Sequence, residues 1–250
     1  MDKRKWTEGR VVELYRWTDR LYSIRVDAPV EDFEAGQFGR LGLGMDDEFI
    51  ARPYSFVNAP EERPLDFYFI TVPGGPLTTR MATLHSDDLI WVARKPAGFF
   101  TLSEVPNGEA LWMLSTGTAV GPFLSILKTE EPWRRFERVV LVHAVRTAQE
   151  LSYQDILRSF ENGHPEQFTM IRLVSREVHP ESLRGRITDA ILDGRLEEQA
   201  GLTLKGKGTQ VMLCGNPDML RDATILLVEQ RGLTENRRGR PGQITMERYW

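Results

Sequence analysis

The chain is almost without cysteine: Cys214 is the only one in 250 residues. An intrachain disulfide is therefore impossible, and a cysteine-rich metal centre or a fused iron–sulfur domain is excluded. Histidine is nearly as scarce. The four, His85, His143, His164 and His179, include no pair at the short spacing of a helical zinc motif, so no metal is expected. No run approaches the ~18 consecutive apolar residues of a membrane span. The charged start, Met1-Asp2-Lys3-Arg4-Lys5-Trp6-Thr7, leads into no apolar signal core, so a soluble, cytoplasmic protein is expected. An excess of positive charge is missing too. Lys and Arg number 32 against 36 Asp and Glu, a formal charge of −4, which argues against a nucleic-acid binder.

What remains is an ordinary globular mixture, 41% hydrophobic and 27% charged, long enough for two domains at ~150 residues each. The first hundred residues read as strands: Thr7–Trp17, Leu21–Ala28, Gln37–Leu43, Arg52–Val57, Leu65–Val72 and Asp88–Ala93. Turn residues punctuate them at Ala35-Gly36, Ala59-Pro60 and Pro73-Gly74-Gly75-Pro76. Six short strands so spaced predict a closed antiparallel six-stranded β-barrel. One helix, Leu77–Leu84, interrupts it.

From Ala110 the pattern changes to alternation. Strands over 111–115, 139–144, 169–174 and 210–213 are each followed by a helix, over 122–128, 151–160, 187–198 and 218–231. That order predicts βαβ units on a parallel sheet. The turn-rich stretch Glu104-Val105-Pro106-Asn107-Gly108 sets the boundary, giving domains 1–103 and 104–250.

Six local patterns carry chemistry. Arg52-Pro53-Tyr54-Ser55 offers a phosphate-binding guanidinium, a flat ring and a hydroxyl within one strand. It also reads as an edge-strand proline beside a salt-bridged Arg and a core Tyr. Pro73 to Arg80 is a Gly-rich turn opening a helix, with hydroxyls at Thr78 and Thr79; a plain capped turn fits as well. Ser115-Thr116-Gly117-Thr118-Ala119-Val120-Gly121-Pro122 lies where open α/β sheets bind ligands, yet matches neither the P-loop nor the Gly-x-Gly-x-x-Gly fingerprint. Arg146, Arg176 and Arg186 follow strand ends; together they form a phosphate pocket, singly they are solvated charges. Cys214-Gly215-Asn216-Pro217-Asp218-Met219 opens the last helix, with Cys214 either a cleft residue or an inert core residue. The end, Glu247-Arg248-Tyr249-Trp250, holds two large aromatics, through docking on a ring system, plain packing or chance.

In this order and spacing the motifs, with Arg52–Asn58, Thr116–Ala119, Val142–Arg146, Val174–Glu177, Cys214–Pro217 and Glu247–Trp250, resemble the bacterial ferredoxin/flavodoxin–NADP reductases over essentially the whole chain. The resemblance implies FAD in a cleft between barrel and sheet, and NADP(H) on the sheet. It places Arg52 and Pro53 at the FAD phosphates, Tyr54 on the isoalloxazine and Ser55 near N5. Ile70, Thr71 and Val72 line the flavin, and Leu77 and Thr78 stand at the phosphate helix. Thr116 and Gly117 border the nicotinamide side, Ser175, Gly215, Asn216 and Asp218 bind NADP, Arg146, Arg176 and Arg186 read the 2′-phosphate, and Trp250 covers the adenine. Tyr54, Ser55 and Cys214 are the catalytic candidates. The implied reaction passes electrons between NADPH and ferredoxin or flavodoxin, docked transiently by electrostatics, with Lys3-Arg4-Lys5 and Arg237-Arg238-Gly239-Arg240 as candidate basic faces on a monomer. A reductase serving another acceptor, such as an oxygenase, and a redox or nucleotide sensor without turnover stay as alternatives.

Overall fold

The computed structural model describes residues 4–45, 48–237 and 239–248. They form two compact units: Met1–Thr101 with Gly121–Thr129, and Leu102–Val120 with Glu130–Trp250.

The first unit contains β1 (Trp6–Arg16), β2 (Leu21–Asp27), β3 (Phe38–Met45), β4 (Glu48–Ser55), β5 (Leu65–Ile70), α1 (Pro76–Met81) and β6 (Leu89–Ala93). The strands pair antiparallel in the order β4-β3-β6-β1-β2-β5. Burial alternates along the start of β1, with Thr7, Gly9 and Val11 inside and Glu8 and Arg10 outside, the period-two pattern of a sheet with one wet face. Ile24, Val26, Leu41, Phe67 and Ile90 fill the inside, and Phe33 stacks on Phe56 at 4.0 Å. The edge strands meet at a single bridge just beyond β4, Phe56↔Phe67. The six antiparallel strands expected from the strand spacing are thus present, as a half-barrel.

The segment Gly121–Thr129 belongs to this unit although it follows the first strand of the other. Ser125 donates to the Asn58 carbonyl at 2.7 Å, Phe123 meets Phe100 edge-on at 5.4 Å, and Lys128 pairs with Glu62 at 2.9 Å. No periodicity argument reveals such a return.

The second unit begins at β7 (Ala110–Thr116). After α2 (Gly121–Leu127) come α3 (Glu131–Arg135), β8 (Arg138–Val145), α4 (Gln154–Gly163), β9 (Phe168–Val174) and β10 (Leu183–Arg184). The chain continues through α5 (Ile187–Leu192), α6 (Arg195–Ala200), β11 (Thr209–Gly215), α7 (Pro217–Arg231) and β12 (Ile244–Arg248). All strands are parallel, in the order β10-β9-β8-β7-β11-β12. β11 is buried throughout and β7 and β8 nearly so, as near-continuous apolar runs in a parallel sheet require. From β7 the sheet grows one way to β8 and, later in the chain, the other way to β11. The switch point therefore lies between β7 and β11, where such sheets bind ligands.

Several elements depart from the expectation. The helix expected over 187–198 is two, α5 and α6, separated where Gly194 takes a φ of +82°. α4 starts at Gln154 because a 3-10 turn, Ala148–Glu150, and Tyr153 at φ +60° occupy the preceding residues. β10, β12 and α3 are additions. No helix among the described residues is long and apolar enough to cross a membrane.

Candidate cofactor-binding sites

In the half-barrel, β4 is an edge strand that pairs with β3, which is why it tolerates Pro53. Arg52 and Pro53 are exposed, Tyr54 is half-buried and Ser55 is buried. Arg52 Nη1 donates to the adjacent Ala51 carbonyl at 2.8 Å. Among the described residues Arg52 has no acidic partner, so its charge is free for a ligand. The Tyr54 ring stands edge-on to Phe69 of β5, 6.2 Å between centroids. Burial pushes the Tyr54 phenol up to about 12 against the opposing pull of Arg52, so the ring stays neutral. The Ser55 hydroxyl has no protein partner among the described residues. A free cation, a flat neutral ring and an idle hydroxyl on one strand suit an aromatic ligand that carries phosphate.

Ile70, the last residue of β5, and Thr71 are half-buried, and Val72 is exposed. The turn after them is self-supporting. Gly75 N–H donates to the Val72 carbonyl at 2.8 Å, and Thr78 Oγ1 accepts from Val72 N at 3.0 Å. Leu77 is a core residue of the half-barrel. Thr78 and Leu77 therefore hold the turn in place, one by its hydroxyl and the other by packing in the core.

In the parallel sheet, the ends of β7 and β11 carry the second set. Gly117 takes φ +56° and Gly215 φ +142°. A Cβ on Gly215 would collide with Thr116 Oγ1, whereas one on Gly117 would meet nothing within 4 Å, so the chain there faces open space. Thr116 Oγ1 accepts from Asn216 N at 3.1 Å. The Asn216 side chain caps α7 by accepting from Asp218 N and Met219 N. Asp218 in turn pairs with Arg221 at 2.8 Å.

Two residues not singled out in the sequence act here. His143 of β8 is wholly buried, and its Nε2 lies 3.1 Å from the Gly117 carbonyl. Burial pulls its pKa down to about 4, so the neutral ring donates Nε2–H to that carbonyl and fixes the Gly117 turn from beneath. Its Nδ1 has no partner among the described residues. Glu247 lies opposite Cys214 in the β11–β12 register. Its Oε2 is buried with no partner among the described residues, and burial pushes its pKa up to about 7. The only sequence signals were a histidine inside an apolar strand and an acid at a strand end.

Cys214 itself is fully buried, and burial, reinforced by Glu247, pushes its thiol well above the ordinary value. A side chain that water cannot reach does not ionise readily or touch a ring in this conformation. In this conformation Cys214 packs within the sheet at the end of β11.

The third set lies at the ends of β8, β9 and β10. Arg176 N donates to the Arg146 carbonyl at 2.9 Å, Ser175 N to Val145 at 3.1 Å and Gly185 N to Val174 at 3.1 Å. Arg146, Ser175, Arg176 and Arg186 are thus brought to one edge. The three arginines are not equivalent. Arg146 Nε donates to both Glu150 oxygens at 2.9 and 3.2 Å, Nη2 donates to Oε1, and the same carboxylate accepts Arg146 N at 3.0 Å. Arg176 and Arg186 are exposed and form no ion pair among the described residues. The Ser175 hydroxyl donates to Val145 O at 3.2 Å. Trp250, Tyr249, Lys3 and Arg238 lie outside the described residues.

The model of the family described as an oxidoreductase NAD-binding domain matches residues 113–224. The flavodoxin/ferredoxin–NADP reductase of Escherichia coli (strain K12) is 47% identical over 245 residues, covering 98% of this chain and 99% of that one. The ferredoxin–NADP reductase of Pseudomonas aeruginosa is 36% identical over 248 residues, covering 96% and 95%. A solved ferredoxin NADP+ reductase from Neisseria gonorrhoeae, with bound FAD and NADP, superposes with a TM-score of 0.93 at 32% identity, over 98% of this chain and 99% of that one. The chain belongs to the bacterial flavodoxin/ferredoxin–NADP reductase family.

Proposed function

We propose that residues 1–103 bind FAD, residues 104–250 bind NADP(H), and the protein passes electrons between NADPH and ferredoxin or flavodoxin in the cytoplasm. The names of the relatives and the FAD and NADP bound by the Neisseria protein support this. When bound, the flavin supplies the redox chemistry, taking a hydride at N5 and releasing electrons singly.

The protein supplies position and charge. Arg52, with Pro53 shaping its strand, pairs with the FAD pyrophosphate. Tyr54 stacks on the isoalloxazine, and Ser55 presents its idle hydroxyl toward N5. The backbone at Ile70, Thr71 and Val72 runs beside the flavin, and the turn built by Leu77 and Thr78 faces the phosphates. Thr116, Gly117, Gly215, Asn216 and Asp218 shape the nicotinamide side. Arg176 and Arg186, with Arg146, take the 2′-phosphate beside Ser175, and Trp250 covers the adenine. Hydride transfer needs no acid–base dyad, consistent with the neutral His143 beneath Gly117. The carrier docks transiently on a monomer through local basic groups, Arg4, Lys5 and Arg240 among them.

The arginine edge at β8–β10 is the observation that carries NADP over NAD, whose ribose is ordinarily held by an acid. The test is to purify the yellow protein and mix it anaerobically with each coenzyme. Rapid bleaching by NADPH, slow bleaching by NADH, and turnover with ferredoxins or flavodoxins are expected. Equal bleaching by both coenzymes, or no carrier reduction across a panel, would overturn the reading.

A further inference from the structure

We propose that Arg184, which lies outside the three arginines read from the sequence, determines specificity for the 2′-phosphorylated coenzyme, and that Arg146 chiefly positions its own loop. The inference rests on the reading of the β8–β10 edge as the NADP site.

Parallel pairing sets Leu183 against Leu173 and Arg184 against Val174. Leu183 packs on the core of the sheet, so strand alternation sends Arg184 to the other face, where it is exposed. Its backbone is pinned: Arg195 Nη1 donates to the Arg184 carbonyl at 2.6 Å, and the Arg195 charge is met by Asp193 at 2.8 Å. Arg184 is thus an outward guanidinium on an anchored strand, one bridge from the segment that leads to Arg176 and two residues before Arg186.

The acids of this edge already hold hydrogen bonds within it. Glu150 is committed to Arg146 through its side chain and backbone N–H. Glu177 accepts from Ala148 N at 2.6 Å. Asp189 accepts from Arg186 N at 3.1 Å. Arg176, Arg184 and Arg186 form no ion pair among the described residues. Like charges held on one edge repel, and a phosphate dianion relieves that repulsion while accepting several charge-assisted hydrogen bonds. Arg146 contributes less, because Glu150 already offsets its charge and uses two of its nitrogens. The four-residue spacing of Arg146 and Glu150 closes a clasp across the 3-10 turn, which holds the Arg146 carbonyl where Arg176 N reaches it.

The experiment uses the flavin-loaded protein and its variants R184A, R184K and R146A, with melting temperature as the check on folding. Readouts are kcat/KM with NADPH and NADH, and inhibition by adenosine 2′,5′-bisphosphate and by 5′-AMP. R184A is expected to lower kcat/KM for NADPH about tenfold and to weaken the bisphosphate equally, with changes under twofold for NADH and 5′-AMP. R184K should recover part of the loss, and R146A should discriminate less between the coenzymes than R184A. Parallel losses for NADPH and NADH in R184A, or no loss, overturn the role of Arg184 while a discriminating wild type leaves the NADP reading standing. A wild type that binds the bisphosphate no better than 5′-AMP overturns that reading and the proposal with it.

Discussion

In the half-barrel, four consecutive residues of one edge strand, Arg52 to Ser55, carry a free cation, a flat ring and an idle hydroxyl. In the parallel sheet the groups around the switch point come from strand ends a hundred residues apart, and Thr116 meets Asn216 through its hydroxyl, which accepts the Asn216 backbone N–H. The first site is made of side chains on a continuous strand. The second is made of chain path: two glycines in the left-handed region, one buried histidine holding a carbonyl, and one asparagine capping a helix. A site made of side chains loses function one group at a time. A site made of chain path fails when a single methyl group displaces the chain.

Gly215→Ala tests that contrast most severely. A Cβ there meets Thr116 Oγ1, and φ of +142° strains any L side chain. A loss of about 2–4 kcal/mol in stability is expected, with a fall in NADPH turnover larger than that of Ser55→Ala, read by denaturant melts and steady-state kinetics. Equal, mild effects would erase the distinction between the sites. Arg176→Ala and Arg186→Ala come next. Each removes a charge-assisted contact of about 1.5–3 kcal/mol, so KM for NADPH should rise tenfold or more while that for NADH barely moves.

The third prediction concerns pH, and the two buried groups of the sheet act with opposite sign. His143 titrates near 4 when folded against ~6.5 when unfolded, so its contribution is full above pH 6.5 and is lost as pH falls toward 4. Glu247 titrates near 7 when folded against an ordinary carboxylate value when unfolded. Its contribution is full in acid and is lost as pH rises through 7. Glu247→Gln should therefore stabilise the protein above pH 7 by about 1–2 kcal/mol and flatten the fall in stability between pH 4.5 and 7. An unchanged fall would show that Glu247 is solvated. The smallest effect is expected at the half-barrel. Tyr54→Ala should cost about 1 kcal/mol of stacking, seen as faster FAD release and an altered visible spectrum, with Tyr54→Phe close to wild type.

The same contrast decides what could be read from sequence. The half-barrel strands and the Arg52–Ser55 motif are legible because turn residues bracket them and the chemistry is contiguous. The parallel strands are legible as apolar runs. β12 is not, because Ile244–Arg248 is short and mixed in polarity and becomes a strand only when β11 supplies its partner. β10, two residues long, escapes for the same reason, and Arg184 escapes with it. The break at Gly194 was marked by Asp193-Gly194, a turn signal hidden inside a helical pattern. Arg146 read as a free cation because nothing in a one-dimensional pattern shows that Glu150, four residues on, folds back through a 3-10 turn.

The return of Gly121–Thr129 to the half-barrel also bears on how the gene can be divided. A cut at the turn-rich stretch after residue 103 follows composition, yet it removes the donor to the Asn58 carbonyl and the ring that meets Phe100. A fragment ending there should be expressed poorly or aggregate. One carried through Thr129 includes the segment but trails the unpaired strand β7. During synthesis the half-barrel cannot close its contacts until Thr129 has left the ribosome, so the growing chain must shield Phe100 through the making of some thirty further residues. Split-protein or domain-swap designs on this scaffold should therefore break inside the second unit, beyond Thr129.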